Sequence, residues 1–129
     1  MVKAAVDVSS TVQAYIEKLK RKLPLERVIL SDVHTEGIDG EASEIVFIVV
    51  SPAFEGLEPP EKSRKLGLLG YEVSSLVTAF PYTPDEFDGF FRGDSYSGVL
   101  SQLLNGSREI YRKHGTPLHK LLQTAGGKR

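Results

Sequence analysis

The segment Ser43–Ser51 (SEIVFIVVS) constrains the fold of this chain more than any other. From Ile45 to Val50 it is apolar at every position, without the alternation that a strand with one wet face would show. Its β-branched and aromatic residues favour extended backbone, and the run is far too short to span a bilayer. Such a segment predicts a central strand covered on both faces, so the rest of the chain must supply two covering layers. With 129 residues, 40% hydrophobic and 26% charged, the chain has the material for one domain of that kind and is not a low-complexity or disordered sequence.

The covers are readable on either side. Residues 10–23 (STVQAYIEKLKRKL) predict a first helix. Ser9 or Ser10 is the expected N-cap, Val12, Tyr15, Ile16, Leu19 and Leu23 recur at helical spacing, and Pro24 is the stop. Arg27–Asp32 predicts a short strand, followed by a polar loop with Gly37 and Gly40. Residues 52–60 predict irregular chain. Glu61–Leu69 is compatible with a helix interrupted by Gly67 and ended by Gly70, and Tyr71–Phe80 predicts a third strand closed by Pro81. Thr83-Pro84-Asp85-Glu86 carries a capping box with proline at the first helical position. Gly89–Ser97 reads as loop, Gly98–Leu104 and Pro117–Gln123 as short helices, Ile110–Tyr111 as a small apolar segment, and the chain end from Gly126 as frayed. The loop between the first two strands is too short for a crossover helix, so they are antiparallel neighbours or joined by an abbreviated helical turn. An α+β domain with a small mixed sheet flanked by helices follows.

The absence of cysteine excludes disulfides, cysteine zinc sites, iron–sulfur clusters and thiol catalysis. The formal charge of -1 does not point to nucleic acid or acidic lipid, and with no transmembrane run and no secretory pattern a cytoplasmic location is expected. The charge is unevenly spread. Asp32, Glu36, Asp39, Glu41, Glu44, Glu55, Glu58 and Glu61 face Lys62 alone, whereas from Ser107 onward Arg108, Arg112, Lys113, Lys120, Lys128 and Arg129 face only Glu109. These halves could meet within the fold or between subunits, form separate partner surfaces, or be solvated charge.

The framework resembles the minimal nucleotidyltransferases, small bacterial and archaeal members of the polymerase-beta-like superfamily. That family reads aliphatic–Phe-Gly-Ser, two residues, Arg-Gly, then Ser-Asp-Ile-Asp-aliphatic. Here the matching stretches are Val28-Ile29-Leu30-Ser31-Asp32-Val33-His34-Thr35-Glu36-Gly37 and Ser43-Glu44-Ile45-Val46-Phe47-Ile48. Pro81-Tyr82-Thr83-Pro84-Asp85-Glu86-Phe87 is similar to the end of the family's third core strand, and Arg108-Glu109-Ile110-Tyr111 to its tail. The resemblance covers most of residues 10–112. It implies a nucleotidyltransferase-like core over 1–93, with 94–129 a helical C-terminal extension packed on it.

The same resemblance implies nucleotide-binding positions at Asp32, Val33 and Gly37 and catalytic, metal-binding positions at Glu44, Val46 and Thr78. Nucleotidyl transfer needs backbone N–H groups close to a triphosphate and carboxylates for two magnesium ions. Asp32 and Val33 replace the Gly-Ser pair, so a side chain and a like charge stand where phosphate should approach. Glu36 reverses the charge of the family's arginine. Of the three metal positions Glu44 alone keeps a carboxylate, Val46 cannot ligate, and the Thr78 hydroxyl is a poor substitute. The resemblance therefore implies a pseudoenzyme with no cofactor that acts by binding protein, as a homo-oligomer or as the antitoxin-like partner of a HEPN-type protein in a prokaryotic toxin–antitoxin pair. The alternative is an active nucleotidyltransferase using Mg and NTP through an altered metal site. His34, between Asp32 and Glu36, is either a Zn²⁺ or Mn²⁺ ligand together with Asp32, Glu36 and Glu44 or an exposed loop residue. His114 and His119 are expected on the surface. Tyr82, Phe87, Phe90 and Phe91 are either core or, if Phe90 and Phe91 are exposed, an interface.

Overall fold

The computed structural model describes residues 8–38, 40–93 and 98–127, with side chains to Gln123. The chain runs α1 (Val8–Lys22), β1 (Arg27–Glu36), β2 (Glu41–Val50), a 3-10 turn (Pro52–Phe54), α2 (Pro59–Tyr71), β3 (Val77–Tyr82), α3 (Pro84–Arg92), α4 (Gly98–Leu104), β4 (Arg108–Arg112) and α5 (Leu118–Gly127). The four strands form one mixed sheet in the order β3-β2-β1-β4. β1 is antiparallel to β2 and to β4, while β3 is parallel to β2. The fold is thus α+β, with helices on both faces of a small sheet. Among the described residues no helix is long and apolar enough to cross a membrane.

β2 holds the layers together because its apolar run has no wet side. Every residue from Ile45 to Val50 is at most 6% exposed. Ile45, Phe47 and Val49 project into one layer with Tyr15 and Leu19 of α1, Leu66 of α2, and Val28 of β1. Ile48 and Val50 project into the other with Ile29 of β1, Phe87 of α3, Leu100 and Leu104 of α4, and Leu118 of α5. Alternate side chains of one strand thereby nucleate two cores. Each such side chain contributes about 1.5–3 kcal/mol by leaving water. Phe87 meets Phe91 edge-on at 5.2 Å, and Phe90 and Phe91 lie half-buried against this second core, so the aromatic run is core.

Several element boundaries differ from those expected, each for a physical reason. α1 begins at Val8, which puts Ser9 and Ser10 in its first turn, and the residue before it lies outside the described residues. β1 continues to Glu36, because its polar half gains a ladder with β2 through the turn at Gly37 and Gly40, both at positive φ. This settles the first two strands as antiparallel neighbours. α2 runs unbroken through Gly67 and Gly70 to Tyr71, and β3 begins only at Val77. Pro81 lies inside β3, which is allowed because β3 is an edge strand. The capping box of α3 forms as read: Thr83 Oγ1 accepts from the Glu86 N–H at 3.1 Å, and Thr83 N–H donates to Glu86 Oε1 at 2.9 Å. The helix then passes through Gly89 and stops at Gly93, at φ 81°. Residues after 93 are not solely helical, since Ile110 and Tyr111 lie in β4 and extend the sheet beside β1.

β4 brings a buried ion pair with it. Arg27 Nη1 donates to Glu109 Oε2 at 2.6 Å, with side-chain exposures of 7% and 14%. The same Nη1 donates to the Thr116 carbonyl at 2.9 Å, and Phe87 covers the guanidinium with its centroid 4.9 Å away. Glu109 Oε1 accepts from Arg112 Nε and from the Leu118 N–H, each at 3.3 Å, which ties β1, β4 and the start of α5 together. Burial alone does not make such a cluster stabilising, but loss of Glu109 would strand two guanidiniums. In the first core the Tyr15 hydroxyl is buried with no hydrogen-bond partner among the described residues, and burial holds its pKa well above the ordinary tyrosine value.

The two helical glycines of α2 have opposite roles. A Cβ at Gly70 would stand 2.7 Å from Val77 Cγ1, whereas one at Gly67 meets nothing within 4 Å. Gly67→Ala is expected to raise stability by about 0.5–1 kcal/mol through helix propensity. Gly70→Ala is expected to lower it by about 1–3 kcal/mol, because the end of α2 must move off β3. Urea denaturation of the two variants checks this, and a gain from Gly70→Ala would refute the close packing.

Candidate functional site

The site expected around residue 44 lies where β2 passes from its polar to its buried half. Register places side chains in rows across the sheet. Asp32 on β1 pairs with Val46 on β2, and Val46 pairs with Thr78 on β3. In the next row His34 pairs with Glu44. Since alternate residues share a face, Asp32, His34, Glu44, Val46 and Thr78 all point the same way. They line a cleft of about 420 Å³, walled by Phe80 of β3 and by Gln102, Leu103 and Asn105 at the end of α4.

Within the cleft the polar groups are turned on one another. Thr78 Oγ1 donates to Glu44 Oε2 at 2.7 Å. His34 Nε2 stands 3.3 Å from Asp32 Oδ2, and His34 Nδ1 is 3.8 Å from Glu44 Oε1. Asp32 Oδ1 accepts from the Val33 N–H at 2.8 Å. Ser31 also lines the cleft, but it is buried and its hydroxyl is spent on the Leu103 carbonyl.

The family-implied metal positions Glu44, Val46 and Thr78 are brought together on one face. Their donor set is one carboxylate and one hydroxyl, already bonded to each other, and Val46 offers no donor. A magnesium ion demands near-octahedral oxygen ligation and gives up water reluctantly, so these residues do not fit it. Among the described residues no group of three or more His, Asp or Glu side chains is arranged to hold a metal ion. The nucleotide positions are dispersed. Asp32 faces the cleft, Val33 packs against the first core on the opposite face, and Gly37 is in the hairpin turn and does not line the cleft. Asp32 and Val33 belong to a paired strand, so the backbone where a phosphate turn would be is part of the β1–β2 ladder. His114 lies 3.3 Å from Glu26, and His119 is exposed on α5.

The wall formed by Phe80, Gln102, Leu103 and Asn105 was not foreseeable from sequence spacing. It depends on where α4 lands, and the signal nearest to it is Ser31, a small polar residue in an apolar strand that needs a carbonyl partner. No family model matches the chain, and neither the curated proteins nor the solved structures give a match to it.

The Thr78–Glu44 bond is testable as a pair. A double-mutant cycle of Thr78→Val and Glu44→Gln in urea is expected to give a coupling of about 1 kcal/mol, as for a hydrogen bond to a charged group that is partly exposed. Additive losses would show that the two side chains do not interact.

Proposed function

We propose that this chain is a nucleotidyltransferase-like domain without catalysis that acts by binding another protein, as an antitoxin-like partner of a HEPN-type helical protein. The observation that carries the reading is the row Asp32–Val46–Thr78 beside Glu44. At the positions where two metal ions would be held, an isopropyl group replaces one ligand and a hydroxyl another, and the remaining carboxylate accepts the bond from that hydroxyl. The fold and the face survive while the ligand chemistry does not, which leaves the surface as the functional part.

A second reading is an active nucleotidyltransferase with an altered metal site. Asp32 and Glu44 favour it, because both carboxylates face one cleft on either side of His34. It requires both to leave their present partners and converge on an ion.

Partner binding is tested by tagging the full chain in its native host, cross-linking, and identifying what co-elutes on size exclusion. The expected result is a stoichiometric complex with a helical HEPN-type protein. Elution as an isolated monomer, with no protein in constant ratio, would contradict the proposal.

A further inference from the structure

At the other end of the sheet from Glu44, where β1 begins and β2 ends, lies a cavity of about 620 Å³. Its size is that of a small-molecule site. Val50, Phe87, Phe91 and Leu121 give it an apolar lining, and Arg27 contributes a guanidinium. Arg27 is 6% exposed. Its charge is only partly compensated, because Arg27 and Arg112 share the one carboxylate of Glu109. Within the cavity lining Arg27 is the buried cation, and Glu26, Asp88 and Arg92 are the other charged groups.

The geometry leaves one edge of that guanidinium open. Phe87 covers a face, and Nη1 is used by Glu109 and the Thr116 carbonyl. Nη2 makes no hydrogen bond among the described residues. It faces Gly115, at φ +95°, where a Cβ would stand 3.2 Å from it. Glycine at 115 therefore keeps the edge clear as well as allowing the turn. Two carboxylates share the cavity. Glu26 is engaged by His114 at 3.3 Å, whereas the Asp88 side chain takes part in no hydrogen bond or ion pair among the described residues, and Arg92, one turn on in α3, lines the same cavity.

We infer that this cavity binds a small carboxylate with an apolar body. The carboxylate accepts from Arg27 Nη2, and the body lies on the half-buried Phe91 and Leu121. Guanidinium–carboxylate pairing in a partly desolvated pocket supplies orientation, and the aromatic lining supplies affinity. Asp88 decides between two sources of the same chemistry. It repels a simple acid but receives the ammonium group of an amino acid.

The test is a ¹H–¹⁵N NMR titration of the full chain with 3-phenylpropionate and with L-phenylalanine. Benzyl alcohol serves as the control lacking a carboxylate. Saturable shifts centred on Gly115, Thr116 and Phe91 are expected, with Kd of about 1 mM or below. Phe91→Ala, at a half-buried position, is expected to weaken binding about tenfold through lost apolar contact. A preference for L-phenylalanine that Asp88→Asn removes assigns the amino acid, and a preference for phenylpropionate that Asp88→Asn strengthens assigns the simple acid. Absence of saturation by either compound at about 10 mM, equal binding of benzyl alcohol, or shifts centred on the β1–β2 hairpin would overturn the inference.

Discussion

A strand with no solvent face can offer chemistry only at its ends, and β2 is such a strand. Ile45–Val50 is buried on both sides, so α1 and α2 must cover one face and α3, α4 and α5 the other. Polar side chains of β1 and β2 lie mainly at two places: the N-terminal half of β2 with the polar half of β1, and the opposite end where β1 starts. The cleft around Glu44 occupies the first and the cavity around Arg27 the second.

The two ends differ in sign and in wetness. In the cleft, Asp32 and Glu44 are substantially exposed carboxylates balanced by a half-exposed histidine and a hydroxyl. In the cavity, a buried guanidinium is held by one carboxylate that it shares with a second arginine. An anion approaching the first meets like charge in water, where the repulsion is screened. One approaching the second meets the buried Arg27 guanidinium in a less polar setting, where each charge contact is larger, with Glu26 and Asp88 in the same lining. The charge imbalance along the sequence thus corresponds partly to a spatial one, with the acids of the β1–β2 hairpin at one end and Arg27 and Arg112 at the other.

What the sequence revealed follows from how local each cause is. The core of β2 and the cap of α3 were legible, because an uninterrupted β-branched run and a Thr-Pro-Asp-Glu start need no distant partner. That Glu44 and Val46 share a face follows from the period of two. That Thr78 and Asp32 join them depends on register across three strands. The resemblance implied the convergence at Thr78, and spacing alone did not. Glycine misled where it serves packing: Gly70 looks like a helix stop but lies inside α2, fitted against Val77. The polar half of β1 and the strand β4 were missed because their hydrogen bonds are made to strands they meet only in the fold. Arg27 and Glu109 lie 82 residues apart, and nothing local marks either as buried.

On the proposed reading, the Glu44 cleft is a nucleotidyltransferase-like face without the ligands for metal and nucleotide. Calorimetric titration of the full chain with ATP and excess Mg²⁺, repeated with Mn²⁺, tests it most directly. The account predicts no saturable heat with nucleotide up to about 1 mM. Binding in the micromolar range that Glu44→Ala abolishes would contradict it.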